Sequence, residues 1–416
     1  MCLCCGGRQQ SYRYLIALSP SLCLAPSPGT LTSRYTSKCD HRITYAMVSR
    51  ACIRSLSKLG RTLAVGSHSL TGLNKTMMGP CYTLTRNLTT ATKETKVGVI
   101  GCGQVGEAVT NNLTRKGYRV VAACDSDPRR LVDLPSSVSR VSTPREVVQL
   151  SDVILTCLPK PPNVKAVAEG SDGVLTSLTA GKIWIDHSTT EFEQTQVYMK
   201  AVHEVGAHML ESPITGGLDA LKKGQMIAYV GGDKTIVDAV MPLLDASYIK
   251  VFYVGDTVGA AMVIKVVSNM LCCVHVIAMG EALMLGKRAN IDLRTFWDGI
   301  RLSVGNSFVW ETAAPVVFNG GEYDPGFSLS LQNKDLQLGY DMARKYKVPM
   351  DMHQMALSIY RKAEYQFGEE AGCYIVPKAI ELALGESLQS PGFDTWEYDN
   401  VVENGSLITK HVGVDV

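Results

Sequence analysis

Lys96-Val97-Gly98-Val99-Ile100-Gly101-Cys102-Gly103-Gln104-Val105-Gly106 is the stretch on which the fold turns. Its first five residues read as a buried strand, and they run without a break into Gly-x-Gly-x-x-Gly. A helical pattern follows through Val109, Leu113 and Gly117. The bare glycine pattern is common by chance, and the strand before it and the helix after it are what give it content. Gly101 permits a tight turn, Gly103 lets the backbone approach a pyrophosphate seated on the helix N-terminus, and Gly106 lets helix and strand pack closely. Cys102, Gln104 and Val105 complete this cofactor-binding turn.

A second strand, from Tyr118 to Cys124, ends at Asp125, 19 positions past Gly106. A carboxylate there accepts hydrogen bonds from both ribose hydroxyls and repels a 2′-phosphate, so NAD is expected, with NADP left open by Arg129 and Arg130. Strands at 152–157, 182–186 and 207–211 alternate with helical stretches. That is the rhythm of a doubly wound parallel sheet, with ligands at the strand C-termini. Residues 226–231 and 249–254 read as further strands.

Several strand ends carry polar or turn residues. Leu158, Pro159 and Asn163 follow one, and Asp186-His187-Ser188-Thr189 close the next. Ser188 or Thr189 either N-caps the following helix, with Glu191 and Glu193 in its first turn, or faces a cofactor, and the two are compatible. His187 reads as an ordinary loop histidine. Ser212-Pro213-Ile214-Thr215-Gly216-Gly217 is either a plain Gly-Gly turn or, with its hydroxyl and exposed N–H groups, an anion nest for a carboxylate.

From Gly259 onward the period is helical and no clear strand recurs. Lys265 and Asn269, at i and i+4, share a face of the first helix, amid Met262, Val263, Ile264, Val266, Val267, Met270 and Leu271. A lysine in that company either snorkels to water or stands in a partly dry cleft. Desolvation in a cleft lowers its pKa toward the range of an acid/base catalyst.

These blocks, in this order, resemble the β-hydroxyacid dehydrogenase family from about residue 95 to about residue 384. Leu158, Pro159 and Asn163 match its Leu-Pro-x-x-x-Asn segment. Residues 186–189 match its Asp-x-Ser-Thr block, which implies that Thr189 touches the nicotinamide side of the cofactor. Residues 213–217 match its Pro-Val-Ser-Gly-Gly substrate loop, with Ile214 and Thr215 replacing valine and serine. Lys265 and Asn269 match its Lys-x-x-Asn-Asn catalytic block, with Ser268 replacing the first asparagine. Its late Lys-Asp-Leu falls on Lys334-Asp335-Leu336, implying that Lys334 reaches the cofactor, although alone such a pair reads as a solvated face. The resemblance implies that Lys265 is the general acid/base. It also implies that Thr215, Gly216 and Gly217 hold the carboxylate of a small hydroxy acid, and that Asn269 orients the lysine or the substrate hydroxyl. Two other readings stand beside it. An NADPH-dependent reductase of glyoxylate, succinic semialdehyde or tartronate semialdehyde is opposed by Asp125, and a non-catalytic dinucleotide-binding module is opposed by Lys265.

Composition bounds the rest. The 416 residues are 46% hydrophobic with a formal net charge of +2, which points to neither nucleic acid nor an anionic surface as partner. No run reaches the ~20 uninterrupted apolar residues of a membrane span. Residues 258–287 come nearest, but they contain Lys265, Asn269, His275 and Glu281 and read as a buried soluble helix. Seven of the thirteen cysteines precede residue 90, and the rest show no metal-site spacing, so a reduced compartment and no metal are expected. Residues 1–93 hold twelve basic side chains against one acid, Asp40. Within them, 47–65 read as a basic amphipathic helix, which at about 100° per residue would place Arg50, Arg54, Lys58 and Arg61 on one face and Val48, Cys52, Leu56, Leu59 and Leu63 on the other. A mitochondrial matrix address is expected, with cleavage after Arg86-Asn87-Leu88.

The expected architecture is α/β: a Rossmann-type doubly wound sheet followed by an all-α C-terminal domain. The expected boundaries are a targeting segment at 1–94, a dinucleotide-binding domain at 95–256, a helical substrate and dimerisation domain at 257–387, and a polar tail at 388–416. A homo-oligomer is expected.

Overall fold

The computed structural model describes residues 90–413 apart from 321, 322, 324 and 325. The expected basic amphipathic helix and cleavage motif lie outside the described residues.

The first part alternates strand and helix: β1 (Lys96–Ile100), α1 (Gln104–Arg115), β2 (Arg119–Cys124), β3 (Ser139–Arg140), α2 (Pro144–Leu150), β4 (Val153–Thr156), α3 (Pro161–Glu169), β5 (Ile183–Asp186), α4 (Phe192–Glu204) and β6 (His208–Glu211). It continues through β7 (Ile214–Thr215), α5 (Leu218–Lys223), β8 (Ile227–Gly231), α6 (Lys234–Ser247) and β9 (Lys250–Gly255). Strands lie in the order β3-β2-β1-β4-β5-β6, all parallel. Beyond β6 the all-parallel expectation fails, because β8 runs antiparallel to β6 and β7 antiparallel to β8. Six-residue α5 rises only about 9 Å, too little to carry the chain back for a parallel return. Fourteen-residue α6 does so, and β9 pairs parallel with β8.

Both faces of the sheet are covered, which is why its strands are almost continuously apolar. Val97, Val99, Val153, Leu155, Ile183 and Ile185 point to a core shared with Val109, Leu113, Ile236 and Val240. The alternate residues Ile100, Ile154 and Trp184 point to the opposite core, with Val147, Val164, Tyr198 and Val202.

The second part is built on α7 (Ala260–Arg288), against which α8 (Leu293–Arg301), α9 (Phe308–Asn319), α10 (Leu329–Tyr346), α11 (Asp351–Phe367) and α12 (Pro377–Leu384) pack. Cys273, Val276, Met279 and Leu283 of α7 meet Trp297, Phe318, Leu336, Leu357 and Tyr360 in a second core. By length and composition alone α7 is apolar enough to cross a membrane. It is not buried all round, since Val267, Leu271 and Leu285 are exposed.

Residues 388–416, read as a polar tail, are structured as far as they are described. Leu388 and Phe393 are fully buried in the helical core, Phe393 with its ring 4.8 Å from Phe318 and 5.5 Å from Trp297. Burying each side chain contributes roughly 1.5–3 kcal/mol. Then β10 (Glu397–Glu403) and β11 (Ser406–Val412) form an antiparallel hairpin. Asn404 and Gly405 turn it with φ of 52° and 81°, both positive as a two-residue type I′ turn requires. Asn-Gly between Val401-Val402 and Leu407-Ile408 is the signal that polar composition hid.

Candidate active site

The glycine-rich turn is held by its own neighbours. Gly101, at φ 87°, donates its N–H to the Cys124 carbonyl at 2.9 Å, and Cys102 donates its N–H to Asp125 Oδ2 at 2.7 Å. Asp125 Oδ1 accepts the Asp127 N–H at 2.8 Å. A β-carbon at Gly106 would overlap the Gly101 carbonyl oxygen. Gly103 is the N-cap of α1 and no side chain caps it, so the first N–H groups of a twelve-residue helix face the turn. Gln104 and Val105 open that helix. Arg130 lies over the turn, its Nη1 2.9 Å from where a Gly103 β-carbon would stand. These helix N-terminal donors, with the Arg130 guanidinium over Gly103, fit a dinucleotide's phosphates. Burial, with Asp125 adding to it, pushes the Cys102 thiol up to about 12, so it stays protonated beside them.

The ends of β4, β5 and β6 are bound to one another. Buried Asp186 accepts the Thr156 hydroxyl at 2.7 Å and the Ser188 N–H at 3.0 Å, and burial raises its pKa. Ser188 Oγ accepts the Leu158 N–H at 2.9 Å, and the Leu158 side chain lies beside Gly101, with Pro159 next in the chain. Neither Ser188 nor Thr189 caps the next helix. Glu191, extended at φ −72° and ψ 136°, is the N-cap of α4, without a side-chain cap bond. Asn163 lies exposed in the first turn of α3. His187 is no surface-loop residue. Its Nδ1 lies 2.7 Å from the Ser212 carbonyl and its Nε2 3.2 Å from the Tyr248 hydroxyl, and burial lowers its pKa to about 4.

Lys265 is 8% exposed, not snorkelling. Its Nζ donates to Asn269 Oδ1 at 3.0 Å, and Asn269 Nδ2 donates to Asp335 Oδ2 at 2.5 Å. Asp335, 1% exposed, also pairs with Lys334 Nζ at 2.7 Å, and Lys334 donates onward to the Thr189 carbonyl at 3.0 Å. The run Lys265-Asn269-Asp335-Lys334-Thr189 thus joins α7 and α10 to the end of β5. Burial lowers the Lys265 pKa, Asp335 opposes that shift, and the charge on Lys334 reinforces it. The Phe327 ring lies 5.9 Å from Lys265 Nζ, near the limit for a cation–π contact. An amine held so gives up its proton more readily than an exposed lysine, and in its neutral form it can accept one.

Thr215 ends β7 and Gly217 N-caps α5. Gly216 has φ 141°, and a β-carbon there would press on Met226 at 2.9 Å, so this position needs glycine on both counts.

Sequence reading missed two groups. Asp335 sits on the buried face of α10 with Leu329, Gln332, Asn333 and Leu336. Polar residues at the i, i+3, i+4, i+7 positions of an apolar face were the available signal. Glu211, at the end of β6, accepts the Gly259 N–H at 2.7 Å and so holds the start of α7. Burial pushes its carboxyl up to about 7, against the pull of the N–H groups of Gly259, Ala261 and Met262.

Comparison with known proteins agrees with the fold that carries this site. The family model for the NAD-binding domain of 6-phosphogluconate dehydrogenase matches residues 96–255. That for the NAD-binding region of NADP-dependent 3-hydroxyisobutyrate dehydrogenase matches residues 259–378. The protein is therefore an NAD(P)-linked oxidoreductase with a Rossmann-like sheet and a helical second part. Mitochondrial 3-hydroxyisobutyrate dehydrogenase of Mus musculus is 31% identical over 275 residues, 64% of this chain and 82% of that one. The 2-(hydroxymethyl)glutarate dehydrogenase of Eubacterium barkeri is 29% identical over 268 residues, 64% and 89% of the two chains. The structure of Mycobacterium tuberculosis 3-hydroxyisobutyrate dehydrogenase with L-serine superimposes with a TM-score of 0.62 at 26% identity, covering 69% of this chain and 99% of that one. The chain belongs to the β-hydroxyacid dehydrogenase family, whose members oxidise hydroxy acids with a nicotinamide cofactor.

Proposed function

We propose that this enzyme oxidises acids of the form HOCH2–CHR–COO⁻ with NAD, and that Lys265 is the general base. 3-Hydroxyisobutyrate, 2-(hydroxymethyl)glutarate and L-serine, named with the three relatives, share that skeleton and differ in R: methyl, carboxyethyl and ammonium. The observation that carries the reading is Lys265 itself, buried, with a lowered pKa and tied through Asn269 and Asp335 to Lys334 at the strand ends.

Gly101, Cys102, Gly103, Gln104, Val105 and Gly106 would hold the cofactor's phosphates, and Asp125 its ribose. Leu158, Pro159, Asn163, Thr189 and Lys334 would line the nicotinamide side. When bound, the cofactor supplies the hydride acceptor. Thr215, Gly216 and Gly217 seat the substrate carboxylate with their hydroxyl and N–H groups. Neutral Lys265 takes the proton from the substrate hydroxyl as the carbonyl forms, and Asn269 holds the amine in line. In reduction the ammonium returns it. Asp125 supports NAD over NADP, while Arg130 above Gly103 keeps NADP in reach. Comparing NADH with NADPH turnover decides that preference.

Lys265→Ala should lower kcat by about 10²–10⁴-fold while calorimetric NAD affinity stays within about twofold. Retained turnover, or equal loss of NAD binding, would sink the assignment.

The exposed apolar side of α7 (Val267, Leu271, Leu285) supports a homo-oligomer, which a monomer in sedimentation would refute. The basic residues 1–93 and the mitochondrial relatives support a matrix location. A reporter fused to residues 1–94 that stays in the cytosol would refute it.

A further inference from the structure

The C-terminal hairpin lies beyond residue 378, where the second family model stops. Its β10 strand lies across α5 and the loop before it. Lys223 Nζ donates to Asp399 Oδ1 at 2.9 Å, to the Tyr398 carbonyl at 3.1 Å and to Glu397 Oε2 at 3.3 Å. Gln225 donates to Asp399 Oδ1 at 3.3 Å and accepts the Asn400 N–H at 3.1 Å. On the helical side Trp396 Nε1 donates to His411 Nδ1 at 3.2 Å, and the His411 ring meets Trp297 edge-on at 5.4 Å. The hairpin is therefore clamped between the C-terminal end of α5 and the helical core.

That clamp sets one side chain. Tyr398 is buried, its ring edge-on to Phe308 at 6.2 Å and tilted against Trp396 at 5.5 Å. Its hydroxyl oxygen occupies the place that a β-carbon on Gly217 would take. Gly217 has φ −89° and ψ 174°, extended backbone open to any residue. Gly216 needs its glycine for conformation, whereas at 217 the space is reserved by the phenol.

We propose that Tyr398 is a substrate-binding residue. Its phenol donates a hydrogen bond to the carboxylate seated at Gly216-Gly217, and its ring limits the size of the substituent R. The proposal rests on the reading of that loop as the carboxylate seat. A neutral phenol is a donor of the right kind, because its bond to a carboxylate is charge-assisted. Phe308 and Trp396 hold the ring, so it forms a firm wall rather than a mobile cover.

Two variants of the full chain test this. Tyr398→Phe keeps the ring packing and removes only the hydroxyl. KM for 3-hydroxyisobutyrate should rise about tenfold, as loss of one charge-assisted bond implies, with kcat and calorimetric NAD affinity within about twofold. Tyr398→Ala opens the wall, and the ratio of kcat/KM for 2-(hydroxymethyl)glutarate to that for 3-hydroxyisobutyrate should rise about tenfold. An unchanged KM in Tyr398→Phe overturns the proposal, as does an unchanged ratio in Tyr398→Ala. Should the wild-type protein oxidise neither acid, the broader functional reading fails by itself. Titration of 3-hydroxyisobutyrate into NAD-loaded protein then decides the matter for Tyr398. Binding about tenfold weaker in Tyr398→Phe upholds it, and equal or no binding in both overturns it.

Discussion

At the glycine-rich turn the shaping contacts are close in sequence: Gly101 to Cys124, Cys102 to Asp125 23 positions away, Asp125 to Asp127. At the lysine the contacts reach much further, from Asn269 to Asp335 across 66 positions and from Lys334 to Thr189 across 145. The turn is a conformational device, set by what backbone a residue type allows. The lysine site is an electrostatic device, and its property, a lowered pKa, belongs to no residue until α7, α10 and the sheet have met. Damage to the first should therefore show as lost folding or nucleotide binding, and damage to the second as an altered pH profile on an intact protein.

Gly106→Ala strikes the first device hardest. The added carbon meets the Gly101 carbonyl oxygen, which is backbone and cannot rotate away. We expect destabilisation above about 3 kcal/mol, beyond ordinary overpacking, read by denaturant midpoint and accompanied by loss of NAD binding. A folded variant with normal NAD affinity would break the contrast.

Glu211 sits between the two devices, so its variant sharpens the boundary. Its folded-state pKa is raised from 4.5 to about 7, so stability is lost as pH climbs through that window and the loss is complete above it. Glu211→Gln should gain about 3 kcal/mol on the wild type between pH 4.5 and pH 8. His187, depressed to about 4, works in the opposite sense, its contribution lost as pH falls from 6.5. It is present in both proteins and cancels from their difference. A stability difference that does not vary with pH would remove Glu211 from this role.

Asp335→Asn probes the second device alone. Asp335 holds the Lys265 pKa up, so its loss should move the acid limb of kcat for oxidation to lower pH. With Asn269 no longer held by a carboxylate, kcat at its plateau should fall about tenfold, with NAD affinity little changed. An unmoved acid limb would mean that Asp335 is only scaffolding.

The same contrast explains what the sequence could tell. The strand, the turn and Asp125 were legible because each depends on conformation within about 30 residues. Lys265, Asn269 and Lys334 were legible only as a pattern shared with a family. Their mutual contacts, and Asp335 among them, were not, since a Lys-Asp pair looks the same on a wet helix as on a dry one. The reversal of β8 followed from the shortness of α5. The hairpin went unseen because its strands carry alternate polar residues and only Asn404-Gly405 marked them.

The position of that hairpin also has a consequence in time. Gly255, the last residue of β9, and Glu397 are 142 positions apart, and a ribosome adding roughly 5–20 residues per second spends about 7–28 s between them. A nascent chain can thus complete its Rossmann-like sheet before β10 arrives. A chain stopped between the two would carry the glycine-rich turn while lacking the strand that lies against α5.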